Sequence, residues 1–449
     1  MQEGDDVAFM EPGKSVPGKR PSGLRRWLGV LWAILRVARR DWGPGAKTGQ
    51  RLTMSDVLLM LVHSITGANR LWLASRLAEE IGQERAIKFA QAHVHDAQLP
   101  GVNLLRANAS IGNDALWVRY VNQYLECAGM APIALSARPG SLFTRLQSGA
   151  QGSGVDGELI SVIMPAFNAG KLMAHAAGSI LAQSWRNLEL IIVDDCSTDD
   201  TWEIACALAA SDPRVRVLKN EVNVGPYVSK NLALRIARGR YITGQDADDW
   251  SHPDRLKNDM CVLLAGGGDV KAVLSMMLRM DGKGEFCVFS QRGIYVKDGM
   301  RRPASISLLV EADYLHRYLG GWDSVRFGAD SEFIGRIDKI MGSGLKRTNH
   351  VGMFCQDLDT SLTNHPLHGV SKMKGISPVR KQYRAAYLKW HEGLGLDSAK
   401  LPFPHIDRRY EAPEPMRVPL DAVERNIAAH ASQWADAETA RVSASARTA

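Results

Sequence analysis

Two apolar runs in this chain end on aspartates. Residues 188–193, LELIIV, run into Asp194-Asp195, and Tyr241-Ile242-Thr243 leads through Gly244 and Gln245 to Asp246-Ala247-Asp248-Asp249. Short apolar runs separated by helix-period segments read as buried parallel strands, which constrains the chain to an open α/β sheet. Such sheets bind ligands in the crevice outside the carboxyl ends of their strands. Several carboxylates in one crevice suit a divalent cation and the phosphates that accompany it.

The alternation is continuous from residue 159. A strand over 159–164, ended by Pro165, is followed by a helix over 172–183 and the strand 188–193. A helix over 201–210, started by Ser197-Thr198-Asp199-Asp200, then leads to the strand 215–218, a helix over 230–237 and the strand 241–243. This predicts a Rossmann-like mixed sheet flanked by helices, with Ala166, Asn168, Asp194, Asp195, Asp246 and Asp248 gathered at one edge. Upstream, over 52–131, the apolar spacing is helical (Val57, Leu58, Met60, Leu61; Leu73, Leu77, Ile81), with Ser55 and Asn113 near helix starts and no nucleotide loop or metal spacing. The expected organisation is a disordered N-terminus (1–22), a mostly helical region of unknown role (23–135), a Ser/Gly-rich linker (136–158), a catalytic domain (159–370), a C-terminal helical extension (371–411) with a basic amphipathic helix over 379–391, and a disordered tail (412–449).

With 449 residues and 45% hydrophobic content, the chain has enough apolar material for a sizeable core, and neither a fully disordered nor a multi-span membrane protein is expected. The formal charge of +7 suits an anionic partner without choosing one. The 6 cysteines show no C-x-x-C pair, so free thiols in a reducing compartment are expected, without disulfides or structural zinc. Within residues 23–42, GLRRWLGVLWAILRVARRDW, the apolar stretch 27–35 is bracketed by arginines and is much shorter than the ~20 residues a spanning helix needs. Two readings stand open: a helix docked on the catalytic core, or a basic helix lying on an anionic membrane with Trp27 and Trp32 at headgroup level.

From Ile160 to about His365, ISVIMPAFNAG, LELIIVDDCSTDDT, NVGPYVSKNLALRIARGRYITGQDADDWSHPDRL and FGADSEFIGRI occur in an order that resembles glycosyltransferase family 2, enzymes of GT-A fold that use nucleotide sugars. A lone D-x-D says little; an ordered set of motifs, each at a strand end or a helix start, says much more. The resemblance implies an inverting, metal-dependent hexosyltransferase-like enzyme with Mn²⁺ or Mg²⁺ as cofactor. It places Asp248 on the metal and Asp246 near the ribose or the metal shell. Pro165, Ala166, Asn168 and Asp195 fall around the base and ribose, and Asp330 becomes the general base. Asp249 is expected to stabilise its turn with Trp250 behind it.

The sequence departs from the family pattern in three places. An alanine, Ala329, stands where a glutamate usually precedes the base, and Glu332 is a candidate substitute. Ala166 or Phe167 stands where a tyrosine is common. Lys230 stands where an arginine is common, and it reads equally as a phosphate contact or a solvated helix residue. Asp330 also reads as an N-cap for a helix over 331–340. His365 reads as an exposed loop residue before it reads as a ligand.

The implied partners are a nucleotide-sugar donor and a glycan, lipid-linked or small-molecule acceptor in polysaccharide or cell-envelope synthesis. The expected location is cytoplasmic, with peripheral contact on the cytosolic face of a membrane through residues 23–42. The competing class is a catalytically silent nucleotide-sugar-binding module. A sugar-nucleotide pyrophosphorylase or a dinucleotide oxidoreductase needs a Gly-rich phosphate loop after the first strand, which PAFNAGK lacks. No nucleic acid is expected, because the basic residues are dispersed.

Overall fold

The computed structural model describes residues 71–434, apart from 73, 76, 77, 79–81, 95, 97, 98, 150–153, 289–297, 359, 360, 363, 366 and 372–374. The expectations for residues 1–22, 23–42 and 435–449 lie outside the described residues. The chain forms two compact units, Met1–Val94 and His95–Ala449. In the first, helix α1 (Gln83–His93) buries Ala86 and Ala90, four residues apart on one face, while Glu84 and Lys88 pair on its exposed side.

The second unit opens with helices α2 (Gly101–Ala109) and α3 (Asp114–Cys127). Asn113 caps α3, accepting a bond from the Leu116 N–H. Strand β1 (Ile133–Leu135) then pairs antiparallel with β2 (Leu146–Ser148). The segment expected to be a linker is therefore partly built: Phe143 and Leu146 are buried, because even a Ser/Gly-rich stretch docks where it carries apolar side chains.

The central sheet comprises β3 (Ile160–Ala166), β4 (Leu188–Asp194), β5 (Val215–Lys219), β6 (Tyr241–Gly244), β7 (Trp250–Ser251), β8 (Ala272–Met280), β9 (Arg301–Pro303), β10 (Leu309–Glu311) and β11 (Leu345–Gln356). Their order is β5-β4-β3-β6-β10-β8-β11-β7, with β9 paired to β8. Strands β3 to β6 are mutually parallel where they pair, and β10 runs antiparallel to both β6 and β8. The carboxyl ends of β6 and β8 thus lie on one edge of the sheet. Helices α4 (Gly170–Leu181), α5 (Thr201–Ser211) and α6 (Pro226–Leu234) connect the parallel strands, and α7 (Arg255–Ala265) follows β7. The sheet is the mixed, helix-flanked α/β arrangement that the strand and helix periods predict.

Both faces of the sheet are buried, with the two-residue period of a strand. Ile163, Ile191 and Val193 face one core, shared with Tyr227, Phe333 and Ile337. Val162, Met164, Leu190 and Ile192 face the other, packed with Met173, Ile180, Leu256 and Met260. The chain runs from β3 outward through β4 to β5, then returns to place β6 on the other side of β3. This reversal opens a crevice at the carboxyl ends of β3 and β6.

The C-terminal part is an integral layer. Helix α8 (Ala329–Met341) packs with α9 (Pro378–Glu392), which is capped by Ser377 and buries Tyr383, Tyr387 and His391 at four-residue spacing. The expectation of disorder from residue 412 is corrected over the described part of that segment, where helix α10 (Leu420–Ala429) is folded. Its Ala422 and Val423 pack on Val224, Val228 and Leu232, so it is a short amphipathic helix with a partner rather than a frayed end. No helix of the described residues is long and apolar enough to cross a membrane.

Candidate active site

At the first strand ends, Ala166 and Asp194 are register partners, and the Asp195 N–H donates to the Ala166 carbonyl at 2.8 Å. Asn168 and Cys196, the non-glycine residues with positive φ among those described (49° and 64°), follow β3 and β4 directly. Asn168 joins the two turns: its Oδ1 accepts from the Thr198 N–H at 2.8 Å, and its own N–H donates to Ser197 Oγ at 3.0 Å. Pro165 and Ala166 form a buried floor, and the Phe167 ring stands 51% exposed beside them.

The two carboxylates of the Asp194-Asp195 pair differ. Asp195 Oδ1 accepts from Asn220 Nδ2 (2.8 Å) and the Val224 N–H (3.0 Å), and its Oδ2 accepts from the Gly225 N–H (2.7 Å). Burial pushes its carboxyl up, while these donors pull the other way. Asp194 Oδ1 accepts from the Ser197 N–H at 3.2 Å, and its buried Oδ2 has no hydrogen-bond partner. The loop that grips Asp195 is itself held by α10. Asn426 Oδ1 accepts from the Glu221 and Val222 N–H groups at 2.8 and 3.2 Å.

Past β6 the chain turns over a buried polar network. Arg255, fully buried, donates to the Gly244 carbonyl (2.8 Å), Thr243 Oγ1 (2.7 Å), Gln245 Oε1 (3.0 Å) and Ser251 Oγ (2.8 Å). This bracing presents Asp246 and Asp248, both half-buried, at the cleft. Asp249 points inward, its Oδ1 accepting from the Gln356 N–H at 3.0 Å, with Trp250 edge-on to Phe354 behind the turn. Burial pushes the Asp246 carboxyl up to about 6. Asp248 and Asp330 add to the rise, and Lys230 opposes it. Burial likewise raises Asp248, and with its acidic neighbours it raises Asp249 far above the carboxylate range. Crowded, poorly solvated carboxylates of this kind suit a divalent cation. Among the described residues no group of three or more ligating side chains is assembled, so such an ion would take its remaining ligands from substrate phosphates and water.

Asp330 faces these acids from α8. The helix starts two residues earlier than expected, at Ala329, and Gly328 in the left-handed region (φ 88°) sits at the cap. Asp330 is therefore not the cap. Its Oδ2 accepts from the Tyr227 hydroxyl at 3.0 Å, and its Oδ1 lies 3.4 Å from Lys230 Nζ. Tyr227 and Lys230 are one turn apart on α6. The Lys230 side chain is 2% exposed and lies over the Tyr227 and Trp322 rings, which removes the solvated reading. Glu332 is turned away from the cleft. It is fully buried, bonded by Arg336 at 2.9 and 3.0 Å and paired with His391 at 3.0 Å, so it does not stand in for the glutamate missing at Ala329.

The structure thus brings Asp246, Asp248 and Asp330 to one cleft and sets Pro165, Ala166, Asn168 and Asp195 at its neighbouring strand ends. His365 lies exposed, stacked on His368 with ring centres 4.8 Å apart. Tyr227 was not singled out by sequence reasoning. The available signal was the i, i+3 spacing of Tyr227 and Lys230, which puts them on one side of the helix.

Residues 161–263 match the family model described as "Glycosyl transferase family 2". Glycosyltransferase GlyG of Streptococcus pneumoniae is 46% identical over 92 residues, 20% of this chain and 31% of that protein. The Escherichia coli UDP-Glc:alpha-D-GlcNAc-diphosphoundecaprenol beta-1,3-glucosyltransferase WfaP is 39% identical over 103 residues, 23% of this chain and 40% of that protein. The chain thus spans less than half the length of these curated relatives. A crystal structure of S. aureus TarS 1-349 in complex with UDP-GlcNAc superposes with a TM-score of 0.37 and 19% identity, over 45% of this chain and 59% of that one. The matched segment contains β3 to β6, the turn of Asp246 and Asp248, and α6 with Tyr227 and Lys230. Through residues 161–263 the chain is similar to glycosyl transferase family 2.

Proposed function

We propose that this protein transfers a sugar from a nucleotide-sugar donor to a hydroxyl acceptor with inversion at the anomeric carbon. The observation that carries the reading is the placement of Asp330 opposite Asp246 and Asp248, within electrostatic reach of Asp246 and held by Tyr227 and Lys230. Asp330 takes the proton of the acceptor hydroxyl as its oxygen forms the new bond to the anomeric carbon. The bond from that carbon to the β-phosphate oxygen breaks, and the nucleoside diphosphate leaves with the electron pair. Lys230, 3.4 Å from Asp330 and opposing the rise of the Asp246 carboxyl, offers a positive charge to the developing diphosphate. A Mn²⁺ or Mg²⁺ ion held by Asp248 and Asp246 would supply further neutralisation of that leaving group. The exposed Phe167 ring offers a face for the nucleotide base.

WfaP, by its name, uses UDP-Glc and a diphosphoundecaprenol-linked acceptor. We extend from it a role in polysaccharide or cell-envelope synthesis on the cytosolic face of a membrane, with residues 23–42 as the peripheral contact. The reading is tested by calorimetry with UDP-, GDP- and dTDP-sugars, with and without Mn²⁺, on wild type and Asp248→Ala. One donor is expected to bind in a metal-dependent way, with affinity falling about a hundredfold in Asp248→Ala. Asp330→Asn is expected to bind that donor normally and to lose about a thousandfold in turnover. Normal donor binding with no transfer to any acceptor by the wild type would favour the silent module.

A further inference from the structure

We propose that Asp323 is a positioning residue for Asp330: it ties the segment leading into α8 to the C-terminal part of the chain, so that residues 378–417 belong to the transfer machinery. The inference rests on Asp330 acting as the base, and it adds what fixes that base in place.

Asp330 lies two residues past Gly328, whose backbone is in the left-handed region, so its place depends on how the approach to α8 is held. Residues 320–328 form no helix or strand of their own and are clamped from two sides. On one side is α6, the helix that carries Tyr227 and Lys230. Its Asn231 accepts from the Trp322 N–H at 2.9 Å and donates to the Trp322 carbonyl at 2.8 Å, and the Trp322 ring lies against Lys230 and Phe333. On the other side the Leu401 N–H donates to the Leu319 carbonyl at 3.0 Å, the Arg326 N–H donates to the Met416 carbonyl at 2.8 Å, and Val325 pairs with Arg417. The two flanks come so close that the approach needs glycines. A Cβ on Gly320 would fall 1.9 Å from the Leu401 carbonyl oxygen, and one on Gly321 would fall 2.2 Å from Asn231 Oδ1.

Asp323 is the charged point of the second flank. It is fully buried, and its Oδ2 accepts from the Tyr383 hydroxyl at 2.8 Å and from Arg408 Nη2 at 2.5 Å. Its Oδ1 lies 3.1 Å from His405 Nδ1. His405 Nε2 accepts from the Arg409 N–H at 3.2 Å, so the proton of a neutral ring sits on Nδ1, facing the carboxylate. Burial pushes the Asp323 carboxyl up, but His405, Arg408 and Tyr383 outweigh it and hold the group below its ordinary value. The carboxylate is therefore ionised at neutral pH and its bonds are charge-assisted.

Arg336 fastens the same parts from within α8. It is fully buried and donates to the Gly321 carbonyl at 2.8 Å and to the Ala399 carbonyl at 3.1 Å. The base-bearing helix, its approach and the C-terminal segment thus form one hydrogen-bonded unit. Tyr383, His405 and Arg408 all lie beyond residues 161–263, the segment that matches the family model. Reacting groups displaced by about 1 Å lose on the order of a hundredfold in rate, so an anchor of this kind acts on turnover without touching substrate.

The test uses the full chain as wild type, Asp323→Asn, Tyr383→Phe, Arg408→Gln and the double variant Asp323→Asn/Tyr383→Phe, each checked for folding by thermal melting. Calorimetry gives the Kd of the tightest binder among UDP-, GDP- and dTDP-glucose, and release of the nucleoside diphosphate gives turnover. In Asp323→Asn, which keeps the shape and loses the charge, turnover is expected to fall about tenfold while the donor Kd stays within about twofold. Tyr383→Phe and Arg408→Gln should each show the same split at about threefold, and they carry the test if Asp323→Asn does not fold. The double variant should lose less than the product of its two single losses, because the groups act together. Unchanged turnover in the folded variants, or a donor Kd that weakens in step with turnover, overturns the assignment. A wild type that binds none of these sugars, or binds one and releases no diphosphate, overturns the transfer reading instead. Hydrogen exchange then still reads the anchor: amides of residues 319–330 should exchange faster in Asp323→Asn while those of β3 to β6 stay protected, and faster exchange throughout the chain overturns it.

Discussion

Asp195 and Asp248 each follow a buried parallel strand, yet the end of β4 surrounds its acid with donors and the end of β6 surrounds its acids with one another. Around Asp195, two main-chain N–H groups and the Asn220 amide converge, and α10 braces the loop that supplies them. At the second turn the bracing comes from Arg255, which spends its donors on Gly244, Thr243, Gln245 and Ser251. Asp246 and Asp248 are thus positioned without being neutralised, and their carboxyls are pushed up. An acid that the fold satisfies organises a loop; an acid that the fold leaves crowded is available to a cation or a ligand.

The contrast breaks most readily at Asp195. Asp195→Ala leaves the Val224 and Gly225 N–H groups buried without an acceptor, and it is expected to cost about 3–5 kcal/mol of stability in urea unfolding. Asp248→Ala, by comparison, should unfold at or above the wild-type urea midpoint while losing donor affinity. Equal destabilisation by the two substitutions would dissolve the distinction between the two turns.

A smaller effect sharpens it. With the Asp246 carboxyl near 6 in the folded protein and near ~3.9 in the unfolded chain, the native state holds the proton more tightly, so Asp246 penalises folding as pH rises from about 4 through 6. Asp246→Asn removes that penalty. The variant should be more stable than wild type by about 1–2 kcal/mol at pH 7.5, after allowance for solvent at a half-buried group, with the difference vanishing at pH 4. Donor binding by the wild type should weaken as pH falls below about 6. A variant less stable than wild type at pH 7.5 would show that Asp246 is satisfied by the fold after all.

How much of this could be read from the sequence follows from where each constraint resides. The strands β3 to β6 and their helices were legible because period and punctuation are local signals, and the acids at their ends were legible because a strand end fixes where a side chain goes. Glu332 was not: whether an acid two residues past Asp330 faces the cleft or the core depends on helix phase and on Arg336 and His391, the latter 59 residues away. The tail was misread for a related reason. Residues 420–429 lack an extended apolar run, and their order comes from Asn426 and Val423 meeting a loop and helix some two hundred positions earlier in the chain. Lys230 could be recognised as polar, but the aromatic rings that enclose it come from two separate segments.

The smallest expected effect tests whether Asp330 belongs with the satisfied acid or the crowded ones. It receives a neutral donor, the Tyr227 hydroxyl, lies 3.4 Å from the Lys230 ammonium and within electrostatic reach of Arg380, and its side chain remains 25% exposed. A base needs this intermediate state, because full satisfaction would leave no lone pair for the acceptor proton and full crowding would leave the group protonated. Tyr227→Phe removes only the neutral bond. Turnover should fall about three- to tenfold, and KM for the donor should not change. Unchanged turnover and unchanged KM would make Tyr227 a packing residue. A rise in donor KM with unchanged turnover would instead place the Tyr227 hydroxyl on the substrate and leave the orientation of Asp330 to the charge of Lys230.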